Sequence, residues 1–336
     1  MIKIMPNKTF LHTLFVILIL IGFLSSNTSC TKQDNTSPIS QQTLTKVSVR
    51  MKWFFAGTMT GWFAAKEEGF FKDAGIDINI TPGGPDNNSV KLVAAGTDMF
   101  GVAGADELLM AREKGIPVVA IGVLFKDSPI CFVSKKKKNI TSPVQWAGKT
   151  IEVSYGSNAE IQYRALVKKY NVKNIKEVPY TFNLIPLIED KVDVSVAYRM
   201  DQVVTLQRRG IELDIITPKE HGINPYGDVI IITEKTLREQ PELVRKFVQA
   251  AINGFTWSIG HQANAVAHLV KNAPELKQEN EEQVFAATIP FLLASNSESS
   301  IGIMKKERWE DTMRFMLDFS ALRFPLKLEE VYKNIQ

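Results

Sequence analysis

The sequence predicts an α/β protein of two lobes joined by a two-strand hinge, with C-terminal helices packing on the first lobe. Three observations carry that prediction. Residues 47–133 alternate short apolar strands with short helices, the order of a parallel sheet covered by helices. The same alternation resumes between residues 149 and 216, and from residue 236 onward only helical periodicity remains. At 336 residues the chain is long enough for two separate cores.

The first 29 residues read as a targeting segment. Lys3 and Lys8 precede a largely apolar run at 10–24, which is short for a membrane span. Small and polar residues then lead to Cys30, an order that resembles a bacterial lipoprotein signal with Cys30 as the lipidated residue. An ordinary secretory cleavage nearby is the alternative. Residues 30–46 follow as a polar, flexible tether. The second cysteine, Cys131, sits in an apolar strand and is expected to pack as a small hydrophobe, with no disulfide. A net charge of +4 and 23% charged residues give no basic stripe suited to nucleic acid.

The first lobe is expected to span residues 47–134. Val47, Val49, Met51 and Trp53 alternate with Ser48, Arg50 and Lys52, as in a strand with one packed face. A loop at 54–58 leads into a helix at 62–68, ended by Gly69, and Gly75 precedes the alternating strand of Ile76, Ile78 and Ile80. Ser89 is expected to cap a helix at 90–95, and Asp106 to cap one at 107–114. The continuous apolar run 117–125 suits a strand buried on both faces. Four lysines at 135–138 open the second lobe, 135–227. They read as a solvated loop or, more sharply, as a contact for anionic lipid or a permease. Helix 159–170, a short helix at 182–190, strand 192–198 and helix 201–209 follow. Strands 129–134 and 228–233 are expected to form the hinge pair. Residues 228–336 then return to the first lobe and supply helices at 241–260, 262–271, 281–294 and 306–322.

In open α/β sheets ligands bind beyond the carboxyl ends of the strands, so residues 53–61 are the first candidate site. Trp53 and Phe55 there, with Tyr198 and Tyr226, supply faces for a flat ring, and Phe54 lies beside them. Trp62, on the helix, reads as core. Tyr155, Gly156, Ser157 and Asn158 stand where a strand turns into a helix, and free N–H groups there attract polar ligand edges or simply cap the helix. Asp106 and Glu107 open another helix, one as a cap and the other free to accept from an amino group. Asp228 opens the return strand. The sequence has no H-E-x-x-H, paired-cysteine, G-x-S-x-G or Walker motif, so no catalytic residues, metal ligands or cofactor are expected.

Residues 53–76, with 92–122, 188–198 and 222–250, resemble in order the blocks of the pyrimidine-synthase-like family of type II periplasmic binding proteins. That resemblance implies an extracytoplasmic, monomeric binding protein of an ABC importer. It would take a thiamine-precursor pyrimidine or riboflavin between its lobes and present the closed form to a permease. Sister groups take alkanesulfonates, the alternative ligand class. Members often carry Asn-Glu-Pro after the tyrosine of the second-lobe strand. Here Arg199-Met200-Asp201-Gln202-Val203 follows Tyr198, which places a ligand acceptor at Gln202 or Asp201. The eukaryotic enzymes of the family carry a Cys-rich motif that this chain lacks.

Overall fold

The computed structural model describes residues 43–293 and 300–335; the expected export signal and Cys30 lie outside them. The strands among the described residues are β1 (Thr45–Arg50), β2 (Ile76–Thr81), β3 (Phe100–Ala103), β4 (Val118–Val123), β5 (Ile130–Lys135), β6 (Thr150–Val153), β7 (Lys176–Pro179), β8 (Ser195–Tyr198), β9 (Leu213–Ile216) and β10 (Val229–Thr233). The helices are α1 (Thr60–Glu67), α2 (Phe70–Asp73), α3 (Ser89–Ala94), α4 (Ala105–Glu113), α5 (Asn158–Lys169), α6 (Ile185–Ile188), α7 (Gln202–Arg208), α8 (Glu234–Glu239), α9 (Pro241–Gly260), α10 (Gln262–Asn272), α11 (Gln278–Leu292), α12 (Lys306–Asp318) and α13 (Leu328–Val331).

One sheet has the order β2-β1-β3-β10-β4, parallel except for β10. The alternation read from the sequence sets its register. Val47 lies beside Ile78 and Val49 beside Ile80. In β2 the isoleucines are buried while Asp77 and Asn79 face water. In the other lobe β8-β5-β9 form one ladder and β6-β7 another. A parallel bridge between Ile151 and Val194 brings β6 alongside the strand that becomes β8. Each lobe therefore places one antiparallel strand, β10 or β5, between its third and fourth parallel positions.

The hinge differs from the expectation. β5 hydrogen-bonds β8 and β9 on its two sides, so it belongs to the second sheet. The chain crosses before it, at 124–129, and returns at 217–228. Strands 129–134 and 228–233 follow the crossings rather than make them. The two crossing segments are stitched together. Asn224 Oδ1 accepts from Ser128 N (3.1 Å), and Asn224 Nδ2 donates to Asp127 Oδ1 (2.7 Å). Lys219 Nζ reaches Asp127 Oδ2 at 2.6 Å, and Arg308 Nη2 donates to the carbonyls of Lys126 and Asn224.

The C-terminal helices pack on the first lobe, as expected. α9 and α10 cover α1, while α12 and α13 lie on α4 and β4. Phe100 and Phe247 stack with centroids 3.6 Å apart, and Trp62, Phe71, Phe255 and Phe285 fill the same core. Gly69 adopts φ +86, where a Cβ would meet nothing but the chain's own strain. Gly69→Ala is accordingly expected to cost about 1 kcal/mol in urea unfolding, with ligand binding unchanged. A Gly69→Ala protein as stable as the parent would contradict the left-handed cap.

Two caps shift by one or two residues. Asn88, not Ser89, caps α3 through Oδ1 to Lys91 N (3.0 Å), and Ser89 Oγ turns inward to the Val102 carbonyl. α4 starts after Gly104, so Asp106 stands inside its first turn. The four-lysine run is largely neutralised within the lobe: Lys135, Lys137 and Lys138 all pair with Asp190, and Lys138 also with Asp193. The run is thus not a wholly solvated loop: Lys135 ends β5, and Lys135 and Lys138 are largely covered while Lys136 and Lys137 face water. Cys131 is a free, fully buried thiol whose Sγ rests 3.4 Å from the Ala197 carbonyl. Among the described residues no helix is long and apolar enough to cross a membrane.

Candidate ligand-binding cleft

A cavity of about 200 Å³ opens between the two sheets, lined by residues from both lobes. The β1–α1 loop gives Lys52, Trp53 and Phe54, and the first turn of α4 gives Glu107. The β6–α5 turn gives Tyr155, Gly156, Ser157 and Asn158. Tyr198, Asp201 and Gln202 come from the β8–α7 turn, and Asp228 from the start of β10. All but Asp228 come from carboxyl ends of parallel strands or the turns and helix starts that follow them, where an open α/β sheet leaves room for a ligand. Asp228 precedes β10, whose antiparallel direction brings its amino end to the same edge.

Three expected site residues are elsewhere. Phe55 packs edge-on against Phe63, centroids 5.0 Å apart, on the first-lobe side. Tyr226 is core: its ring meets Trp309 edge-on and its hydroxyl accepts from Lys305 N at 2.9 Å. Asp106 is fully buried beside the cleft rather than in its lining. Its Oδ1 accepts from Glu107 N (3.0 Å) and its Oδ2 from Gln162 Nε2 (3.0 Å) on α5. The earlier helix start, which turns Asp106 inward, is the reason. Asp106 thereby joins the two lobes behind the site.

Trp53 reaches the cleft because β1 ends at Arg50, so the packed alternation stops before it. Its carbonyl accepts from Gly83 N at 2.9 Å. Only glycine fits at that position, since a Cβ on Gly83 would fall 2.1 Å from the Met51 carbonyl oxygen. Trp53 then touches Phe54 (5.4 Å between centroids) and, across the cleft, Phe182 (5.7 Å).

The polar floor is dominated by carboxylates. Among the described residues of the lining Lys52 is the one cation, against Glu107, Asp201 and Asp228. Its ammonium donates to Asp228 Oδ1 (3.2 Å) and the Gly227 carbonyl (3.3 Å) and lies 5.6 Å from the Tyr198 ring centroid. Burial opposes its charge, but Tyr198, Asp228, Glu107 and Asp106 outweigh burial and hold its pKa well above the ordinary lysine value. Burial pushes the Asp228 carboxyl up, with Lys52 pulling it back. It pushes the Tyr198 phenol up to about 12 against the same pull. Burial and the neighbouring Glu107 raise Asp106 to about 7. On the far side, burial and then Glu281 raise Asp201 to about 7. Gln202 serves its own turn, accepting from Tyr198 N (2.7 Å) and donating to Asp201 Oδ2 (2.7 Å).

The β6–α5 turn is partly self-satisfied. Gly156 N donates to Glu160 Oε2 at 2.8 Å, and Ser157 Oγ accepts from Ala159 N at 3.2 Å. Tyr155 OH donates to Glu177, which also receives Arg164 and Tyr163. The Asn158 side-chain amide lines the cleft and makes no hydrogen bond to another described residue. Among the described residues, no group of three or more His, Cys, Asp or Glu side chains is placed to hold a metal ion.

Sequence reasoning missed Lys52, Phe125, Tyr180 and Phe182 from the lining. Lys52 sits on the strand face shared with Ser48 and Arg50, which looks solvent-facing in a pattern. Phe182 was placed in a helix of residues 182–190, but only Ile185–Ile188 is helical. Phe182 instead adopts φ +58 in the preceding turn, a strained position for an aromatic residue costing on the order of 1–3 kcal/mol.

The family described as NMT1/THI5 like matches residues 57–265, more than half of the chain. The chain is 25% identical over 312 residues to the riboflavin-binding protein RibY of Chloroflexus aurantiacus, covering 89% of this chain and 88% of that one. It is 23% identical over 331 residues to the formylaminopyrimidine-binding protein of Halalkalibacterium halodurans, covering 95% and 97%. Relatives named as pyrimidine phosphate synthases also match. Among solved structures, the alkanesulfonate-binding protein SsuA from Xanthomonas axonopodis pv. citri shares the fold with a TM-score of 0.66 at 12% identity, over 86% of this chain and 98% of that one. The fold is that of the type II periplasmic binding proteins, and the chain belongs to the NMT1/THI5-like family.

Proposed function

We propose that this protein is the extracytoplasmic solute-binding component of an ABC importer, and that its cleft takes a small flat heterocycle, a flavin or a thiamine-precursor pyrimidine. The carrying observation is the cleft's chemistry: aromatic rings together with three acidic side chains, Asp201 among them with its pKa raised to about 7, against one lysine among the described lining residues. A neutral ring with amino or imide donors suits Glu107, Asp228 and the free Asn158 amide. An alkanesulfonate suits it poorly. Lys52 is already spent on Asp228, and the Gly156 N–H that would bind an anion is taken by the Glu160 carboxylate. The names of the relatives that bind riboflavin and formylaminopyrimidine support the same class.

In this reading a ligand touching both lobes favours the closed form by its differential affinity, and the permease recognises that form. Residues 1–29 export the chain, Cys30 carries the lipid and the segment between Cys30 and β1, which starts at Thr45 rather than after residue 46, is the tether of a membrane-anchored monomer. The reading is of a carrier rather than an enzyme. Lys52 is held as a charged ammonium, which is no nucleophile, and burial raises the Cys131 thiol to about 12.

The test is tryptophan fluorescence of the full chain, titrated with riboflavin, formylaminopyrimidine, thiamine and taurine. Trp62, Trp146 and Trp309 are buried in the cores and Trp257 stacks on His261 outside the cleft lining, so a cleft ligand makes contact with Trp53 alone among the five tryptophans. Saturable quenching by one ring compound is expected; Trp53→Ala lacks this reporter, so its affinity is read by calorimetric titration and is expected to be about tenfold or more weaker through loss of stacking and ring burial. A response to taurine alone would overturn the heterocycle reading.

A further inference from the structure

Phe182 lines the cleft with its ring about half exposed, yet its backbone stands in the left-handed region at φ +58. A bulky side chain stays there only when its surroundings impose it. Thr181 donates from both N and Oγ1 to Glu152 Oε1 (3.4 and 3.1 Å). Glu152, buried in β6, also accepts from Ser195 Oγ at 2.6 Å. On the other side Asn183 Nδ2 donates to the Thr181 carbonyl (3.0 Å), and Asn183 Oδ1 accepts from Ile185 N (2.9 Å). The turn is therefore pinned to the second-lobe sheet through Thr181 and braced within itself by Asn183 on the other side of Phe182. The ring it presents faces Trp53 of the first lobe, with centroids 5.7 Å apart and planes tilted by 40°.

We propose that Trp53 and Phe182 form an aromatic clamp, one jaw from each lobe, and that Phe182 is the residue that makes lobe closure depend on a flat ring. The inference rests on the reading of the cleft as a heterocycle site and deepens it. A ring sandwiched between two others needs centroids about 7 Å apart, two contacts of about 3.5 Å. At 5.7 Å and 40° the two jaws touch each other instead, so a ligand enters by parting them slightly and bringing them parallel. Because the Phe182 turn is fixed to β6, its ring cannot follow Trp53 when the lobes separate, and the second stacking face is lost on opening. A planar ligand thus gains one face in the open form and two in the closed form. That difference is what shifts a lobe equilibrium. A compact non-planar ligand of equal polarity gains no such difference.

The experiment compares the full-length wild type with Phe182→Gly, Phe182→Leu and Phe182→Tyr. It uses equilibrium titration and stopped-flow dissociation, with riboflavin and formylaminopyrimidine as probes. Phe182→Tyr is expected to keep wild-type affinity. Phe182→Gly and Phe182→Leu are each expected to weaken the bound ring about tenfold, mainly through faster dissociation. Phe182→Gly should unfold no earlier than wild type, because glycine accepts φ +58 without strain; its weaker binding then reports the ring and not the fold. Unchanged affinity and dissociation in both Phe182→Gly and Phe182→Leu would overturn the clamp while leaving the heterocycle reading intact. A wild type that binds neither probe would overturn both.

Discussion

Lys52→Met is expected to lower the unfolding free energy by about 3–5 kcal/mol at pH 7, the penalty for removing one partner of a buried ion pair. The side chains of Lys52 and Asp228 are only 9% and 12% exposed, so water cannot take over from the lost ammonium. Methionine fills the space but leaves Asp228 and the neighbouring Glu107 without a cation. The pH dependence follows from Asp228. Burial already raises its folded pKa above the unfolded value, and without Lys52 that rise grows. A carboxylate shifted upward is best tolerated below its unfolded pKa and loses stability as pH rises toward its folded one. The deficit should therefore be largest near neutrality and shrink as the pH falls toward about 4. Urea unfolding followed by circular dichroism, repeated across this range, measures it. Lys52→Met/Asp228→Asn should recover most of the loss, since the double variant buries no unpaired charge. A single variant within 1 kcal/mol of wild type at pH 7 would mean that the pair is hydrated and the cleft floor is not as described.

This pairing also marks what sequence reading could and could not reach. The strand at 76–80 and the helix at 241–260 were legible because their apolar residues repeat at 2 and 3.6, and the burial of Ile76, Ile78, Ile80, Phe247 and Phe255 follows that repeat. The cleft was legible through one topological rule. Residues at and after the ends of parallel strands converge, which brought Trp53, Glu107, Tyr155, Asn158 and Tyr198 together from distant segments, and the antiparallel β10 adds Asp228 at its start. Contacts between segments were not legible. Nothing local to Lys52 announces Asp228, and nothing local to Asp106 announces Gln162. β7 escaped because Lys176, Glu177, Val178 and Pro179 form an edge strand with no apolar alternation. Phe182 escaped because phenylalanine carries no signal for the left-handed region; the bonds through Glu152 and Asn183 impose it. The hinge was displaced for a related reason: an apolar strand looks the same whichever sheet it joins.

Asp201→Asn is expected to stabilise the ligand-free protein at pH 8, by on the order of 2 kcal/mol, and to do little at pH 4. Asp201 is raised to about 7 first by burial and then by Glu281, a second buried carboxylate on α11. Glu281 is itself occupied, accepting from Gly57 N and Asn280 Nδ2. Among the described residues the Asp201 carboxyl accepts one hydrogen bond, from Gln202 Nε2. The folded state thus holds the proton on Asp201 up to about pH 7, whereas the unfolded chain releases it near pH 4. Between those values the native state binds more protons than the unfolded state, so wild-type stability falls with rising pH and levels off above about 7. Asparagine cannot titrate and still accepts from Gln202, so this part of the fall disappears. Asp201 also opens onto the cleft, where water softens the effect of burial and keeps the gain below the full value of so large a shift. Asp106, raised to about 7 behind the cleft, imposes its own decline over the same range, so Asp201→Asn should flatten the profile only in part. Urea unfolding from pH 4 to 8 separates the outcomes. A stability difference that grows with pH and then plateaus supports a protonated Asp201 at the cleft wall. A constant difference, or one largest at pH 4, would show that Asp201 is ionised in the native cleft and available as a permanent acceptor for an amino group.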